Sequence, residues 1–141
     1  MSSPLPSGDP SSPLERVMPV ASGAEAGCVF CRVIRGDLPC ALIHKDAPPE
    51  PDPEIWVFAD INPVSPVHWL IVPAIHLPRV ASASPEHERL LGRLLLTAAA
   101  AARQHGLADY RLITNNGPDA GQTVSHLHVH LLSGKPMRGF N

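Results

Sequence analysis

The stretch Ser125-His126-Leu127-His128-Val129-His130-Leu131-Leu132 decides how this chain is read. Side chains on a strand alternate with a period of two. His126, His128 and His130 therefore fall on one face, and Leu127, Val129 and Leu131 on the other. At about 3.3 Å per residue, the three imidazoles extend over roughly 13 Å. The expectation is a strand over 127–132, with a ridge of imidazoles on one face and core on the other. Nothing about sheet stability favours three alternating histidines, so the pattern points to metal ligation or catalysis. Neutral imidazole serves as ligand, nucleophile and proton carrier alike. Because the three share one face, spacing alone leaves their division among these duties open.

Working outward, the segment Asn115-Asn116-Gly117-Pro118-Asp119-Ala120-Gly121-Gln122-Thr123 delivers the chain into that strand. Gly117 and Gly121 permit a tight loop with inward-facing N–H groups, and Asn115 and Thr123 add side-chain donors, as a phosphate cradle requires. The same residue types also build ordinary hairpin loops. A phosphate held here would sit beside an imidazole. Near the other end, Cys28-x-x-Cys31 supplies two thiols, half of a tetrahedral zinc site that imidazoles could complete. No strand precedes Cys28, which argues against a thioredoxin-like redox motif. His68 and His76 flank a strand over Trp69–Val72 and, eight positions apart, serve different jobs. His44, His87 and His105 read as surface or loop residues without a role, and Cys40 as a core filler.

The chain of 141 residues is 44% hydrophobic and has a formal charge of −2, from 11 basic and 13 acidic side chains. That composition belongs to a globular protein and gives no electrostatic case for nucleic acid or an anionic membrane. The longest apolar run, Leu94 to Ala102, is about half of the roughly 20 residues needed to span a bilayer. Three Cys do not make a disulfide scaffold, and no signal-peptide pattern opens the chain, so the expected compartment is the cytoplasm. Residues 1–25 carry five of the 17 Pro and read as a disordered tail, leaving 26–141 as one domain. The expected elements are a short helix from Cys28 to Gly36 and strands at 41–44, 55–59, 69–72, 110–114 and 127–132. A long helix should run from Ser84-Pro85 to about His105, burying Leu90, Leu91, Leu94, Leu95 and Ala98. Asp46 to Pro53, with four Pro in eight residues, is a loop. One long and one short helix beside about five strands give an α+β fold with an antiparallel sheet.

Together, the His-x-His-x-His strand, the Asn-x-Gly-x-x-x-Gly-Gln-Thr loop and the Pro-x-x-His segment resemble the histidine triad (HIT) superfamily. The likeness runs from about Cys28 to Met137. Asp60-Ile61-Asn62-Pro63, Val72-Pro73-Ala74-Ile75-His76 and Ser133-Gly134-Lys135-Pro136-Met137 fit its Hint-like branch, the purine nucleoside phosphoramidate hydrolases. The resemblance implies a homodimer whose five-stranded sheets join into one. It implies His128 as the nucleophile on the α-phosphorus of a nucleoside monophosphate derivative, giving a nucleotidyl-imidazole that water hydrolyses. It further implies His130 at the phosphate and leaving group, with His68 as an orienting partner near His128. Asn115, Gly121, Gln122 and Thr123 would hold the phosphate, and Asp60 the ribose hydroxyls. Val29, Phe30, Leu38, Phe58 and Leu70 would line the purine pocket. Cys28, Cys31, His76 and His126 would bind a structural zinc ion. Pro118 and Ala120 depart from the usual phosphate loop, and the long Pro-rich segment from Asp46 to Pro53 is expected on the base side of the pocket. Alternative readings are a dinucleoside polyphosphate hydrolase of the same superfamily and a non-catalytic, zinc-stabilised nucleotide-binding adaptor.

Overall fold

The computed structural model describes residues 27–139. The expected tail, residues 1–25, lies outside them. Helix α1 is Val29–Arg35, followed by strands β1 Leu42–Asp46, β2 Ile55–Ala59 and β3 Val67–Pro73. Helix α2 is Glu88–Gln104, and β4 Arg111–Ile113 and β5 Val129–Ser133 close the order. The strands form one antiparallel sheet in the order β1-β2-β3-β5-β4, so the last strand inserts between β3 and β4. That insertion carries the histidine strand to an interior position.

Local chemistry explains both helices. Cys28 caps α1: its Sγ accepts the Cys31 N–H at 3.4 Å, and Gly36 ends the helix in the left-handed region at φ 93°. Ser84-Pro85 opens a 3₁₀ turn, Pro85–His87, that leads into α2. His87 Nδ1 accepts the Ser84 N–H at 3.0 Å, so this histidine helps to cap a helix rather than standing idle. His105 likewise has a structural task. Its Nδ1 lies 3.0 Å from the Ala101 carbonyl, and its ring meets Trp69 edge-on at 5.0 Å.

Two apolar layers sandwich the sheet. Leu90, Leu94, Ala98, Ala101 and Ala102 of α2 pack on Ile55, Val57, Trp69, Ile71, Leu127, Val129 and Leu131. On the opposite face, α1 presents Phe30, Cys31 and Val33 to Phe58, Leu70 and Val72. The buried stripe of α2 is narrower than expected, because Leu95 is 52% exposed. The histidine strand also differs from expectation. Regular pairing begins only at Val129, opposite Ile71, rather than at Leu127. His126 and His128 are buried beneath α1, not displayed on a solvated ridge.

The Pro-rich segment lies on α2, away from the α1 face. Arg93 donates to the Pro53 carbonyl at 2.9 Å and to Asp46 Oδ2 at 2.8 Å, and Arg89 pairs with Asp52 at 3.0 Å. Two cations of α2, invisible to local periodicity, thus draw the loop off the expected base side. After β5, Gly134 turns at φ 97°, where an added Cβ would stand 2.7 Å from Pro66 Cβ; both facts require glycine.

Leu94→Ala, which empties a fully packed site, is expected to cost about 2–5 kcal/mol in chemical denaturation. Arg89→Ala, which removes a surface ion pair, should cost under about 1 kcal/mol.

Candidate active site and metal cluster

Pairing of β3 with β5 sets His68 opposite Leu132 and Leu70 opposite His130, so both histidines share the face beneath α1. His68 Nε2 lies 2.9 Å from His130 Nδ1 and 3.3 Å from Asp60 Oδ2. The Val64 N–H donates to His68 Nδ1 at 3.1 Å, which places the proton of a neutral His68 on Nε2. That Nε2–H donates to His130 Nδ1, leaving the proton of His130 on its own Nε2. Burial first, and then the neighbouring His128 and His68, push the His130 pKa down to about 4. The partners of His68 are therefore His130 and Asp60; it does not orient His128 directly. Asp60 itself is aimed by an Asx turn, in which Oδ1 accepts the Asn62 N–H at 2.8 Å.

His128 is oriented by its own backbone neighbourhood. Its Nδ1 sits 2.6 Å from the His126 carbonyl oxygen, so Nδ1–H donates and the lone pair falls on Nε2. Burial lowers its pKa and keeps the ring neutral. Phe30 meets the ring edge-on at 5.0 Å, and His130 lies 4.9 Å away, centroid to centroid. Thr114 Oγ1 donates to the His128 carbonyl at 2.8 Å. The sequence reading missed Thr114 and the Val64 N–H, since both act through contacts that no spacing rule reveals.

His126 belongs to a different cluster. The ligand atoms of Cys28, Cys31, His76 and His126 all lie within 4.8 Å of one another. His126 Nδ1 is 3.3 Å from Cys28 Sγ, 3.6 Å from Cys31 Sγ and 3.1 Å from His76 Nδ1. Hydrogen bonding from Cys31, and secondarily from His126 and His76, holds the Cys28 thiol far below its usual pKa against the opposing effect of burial. His126 Nε2–H donates to the Pro73 carbonyl at 2.9 Å, which turns the Nδ1 lone pair toward the sulfurs. Two thiolates and two imidazoles so disposed fit a tetrahedral metal ion. Asp60, His68 and His130 also converge within 4.8 Å, but their protonation opposes ligation. With Nδ1 of His68 accepting a backbone N–H, its Nε2 carries the proton and has no lone pair to offer. One cluster is set up to hold a metal, the other to hold protons.

The loop from Asn115 to Thr123 brings Asn115, Gly121 and Thr123 to its accessible side. Gly121 adopts φ 100° with the Asn115 side chain packed over it. Gln122 is turned inward. Its Oε1 accepts the Gly117 N–H at 2.8 Å, and its Nε2 donates to the Pro78 and Val124 carbonyls at 2.6 and 3.0 Å. It is a strut of the loop, not an exposed donor. The Arg79 guanidinium packs against Gly117, 3.2 Å from where a Cβ would stand. Among the described residues, Arg79 Nε is the one buried side-chain nitrogen or oxygen without a hydrogen-bond partner. Of the expected purine-pocket residues, Phe30, Leu38, Phe58 and Leu70 fall in one apolar cluster, and Phe30 meets Phe58 edge-on at 5.7 Å. Val29 stands apart, 47% exposed on the outer side of α1.

The HIT domain signature matches residues 50–137. The chain belongs to the HIT family. It is 40% identical over 111 residues to the purine nucleoside phosphoramidase of Escherichia coli, covering 77% of this chain and 88% of that one. It is 38% identical over 112 residues to a 14 kDa zinc-binding protein of Zea mays, covering 77% and 83%. A solved HIT family hydrolase from Clostridium thermocellum superposes with a TM-score of 0.75 at 38% identity, covering 82% of this chain and 97% of that one. This HIT protein thus shares its fold with a bacterial hydrolase and over a third of its aligned sequence with relatives from a bacterium and a plant.

Elemental analysis of the purified HIT protein should find one metal ion per chain, lost in Cys28→Ser and kept in His68→Ala; retention in Cys28→Ser contradicts the cluster. By NMR, the His130 ring should show no titration between pH 5 and 8, and a midpoint near 6.5 would contradict its burial. The sign for stability follows from linkage. The unfolded chain takes up this proton near pH 6.5 and the folded one near 4, so stability contributed by neutral His130 is lost as pH falls across that window.

Proposed function

We propose that this protein hydrolyses purine nucleoside 5′-phosphoramidates through a covalent nucleotidyl intermediate on His128. The observation that carries the reading is the 2.6 Å contact between His128 Nδ1 and the His126 carbonyl, which leaves a neutral, aimed lone pair on Nε2. That nitrogen attacks the α-phosphorus, the P–N bond breaks, and the amine departs with a proton taken from water, while His130 Nε2–H donates a hydrogen bond at the phosphate and leaving group. Water then attacks the same phosphorus, releasing the nucleoside monophosphate and regenerating the imidazole. A weak nucleophile thereby divides one difficult displacement into two easier ones. His68, with Asp60 beside it, holds the His130 ring and its tautomer.

Several features support a nucleotide substrate. Asn115, Gly121 and Thr123 offer donors where the loop enters the His128 segment, and Gln122 keeps that loop closed. Arg79 sets a positive group without a protein acceptor for Nε against the same loop, which suits an anionic ligand. The apolar cluster of Phe30, Leu38, Phe58 and Leu70 suits the base, with Asp60 near the ribose. The named activity of the Escherichia coli relative selects phosphoramidates among such substrates.

We assign the cluster of Cys28, Cys31, His76 and His126 to a structural zinc ion, on its donor set and on the named property of the maize relative. When bound, such an ion supplies a cross-link with no open position, not a Lewis acid. A homodimer with a continuous sheet is favoured by the position of β4 at the sheet edge, without an outer neighbour among the described residues, and by exposed Leu95 and Leu96 on α2. No helix among the described residues is long and apolar enough to cross a membrane. Thiols at Cys28 and Cys40 that join no disulfide among the described residues suit a reducing compartment, the cytoplasm.

Steady-state turnover of an adenosine 5′-phosphoramidate is the test. His128→Ala should lower kcat on the order of 10³-fold or more while nucleotide affinity stays within a few-fold. Preference for a diadenosine polyphosphate would keep the nucleophile and change the substrate. Tight AMP binding without turnover of either would identify a non-catalytic adaptor.

A further inference from the structure

The two clusters touch through a single peptide unit. The carbonyl of His126 accepts the His128 Nδ1–H, and the same planar peptide carries the Leu127 N–H, which donates to the Leu77 carbonyl at 2.5 Å. Each end of this arrangement neighbours a ligand of the metal cluster, His126 on one segment and His76 on the other. The sheet does not hold this peptide. Ladder pairing of β5 with β3 starts at Ile71 opposite Val129, so residues 126–128 lie outside the regular strand. What holds them are contacts from outside the ladder: the Leu127 N–H on the Leu77 carbonyl, Thr114 Oγ1 on the His128 carbonyl at 2.8 Å, and the grip on His126, with Nδ1 among the ligand atoms, Nε2–H on the Pro73 carbonyl at 2.9 Å and its own N–H on the Val124 carbonyl at 2.9 Å. Phe30, one residue before Cys31 on α1, completes the link by packing edge-on against both His126, at 5.8 Å, and His128, at 5.0 Å.

We propose that Cys28, Cys31, His76 and His126 are positioning residues for the reaction: their joint ligation of a metal ion fixes the His126–Leu127 peptide, and through its carbonyl the ring plane and tautomer of His128. The cluster then governs turnover as well as stability, though none of its members touches substrate. An imidazole with the proton on Nδ1 presents Nε2 to phosphorus; the other tautomer presents an N–H there and cannot attack. Once the ligands are released, the His126 ring loses the anchor on its Nδ1 and His76 no longer braces the neighbouring Leu77 carbonyl, so the carbonyl that orients His128 is held less firmly. This inference rests on His128 as nucleophile only for its kinetic consequence, because the tautomer is observable without substrate.

The test compares the metal-loaded full chain with the chelated chain, and His76→Gln with His76→Cys. The Gln variant removes one ligand without altering the peptide, and the Cys variant replaces it with another donor. The readouts are metal content, ring ¹⁵N shifts of His128, and kcat and KM separately. His76→Gln and chelation should abolish metal binding and shift His128 from a single Nδ1–H signature to mixed tautomers. They should lower kcat about tenfold or more at nearly constant KM. His76→Cys should restore all of these. Loss of metal with the His128 signature and kcat unchanged overturns the proposal. So does a folded, loaded His76→Cys protein in which the Nδ1–H tautomer is gone, which keeps the idea falsifiable should the metal-free forms unfold. A metal-dependent tautomer in a protein that cleaves no phosphoramidate would sustain this proposal and refute the hydrolase reading.

Discussion

The hydrogen bond from His128 Nδ1 to the His126 carbonyl is the constraint on which the site depends. Its 2.6 Å length assigns the proton to one ring nitrogen and so the lone pair to the other. Burial beneath α1 keeps the ring neutral, and Phe30 limits how it can tilt. The rest of the fold makes this bond possible. Inserting β5 between β3 and β4 delivers the histidines to the interior, and the α2 layer packs Leu127, Val129 and Leu131 from below. Without that apolar backing, the segment would have no fixed height against α1.

Protonation state, more than proximity, separates the two clusters. Both gather three or more metal-type side chains within 4.8 Å. In one, His126 gives its spare N–H to the Pro73 carbonyl and turns a lone pair toward two sulfurs. In the other, His68 accepts the Val64 N–H and must carry its proton on the nitrogen facing His130 and Asp60. One backbone acceptor and one backbone donor thus assign opposite chemistry to similar side chains. The alternating pattern cannot tell these rings apart; where the main chain offers N–H and C=O does.

Much of this was legible because it is local. The period of two predicts the shared face of His126, His128 and His130, and Ser84-Pro85 predicts the start of the long helix. Gly36 marks the end of the short helix through its backbone freedom. What was not legible depends on contacts between distant segments. Arg89 and Arg93 pull the Pro-rich loop onto α2, each from at least 37 positions along the chain. Gln122 reads as a loop donor but is satisfied by Gly117, Pro78 and Val124. Leu95 has the spacing of a core residue yet lies past the edge of the buried stripe. The roles of Val64, Thr114 and the Leu77 carbonyl leave no sequence trace, since each acts through its backbone or a single hydroxyl.

The central claim is that His128 Nε2 forms a bond to phosphorus during turnover. Rapid quenching of the enzyme with an adenosine 5′-phosphoramidate, followed by mass spectrometry of its peptides, tests it most directly. The account predicts a transient adduct of one nucleotidyl group on the peptide containing His128, localised to that residue and absent from His128→Ala. Turnover with no adduct at any time, or an adduct on His130 or His68, would contradict it.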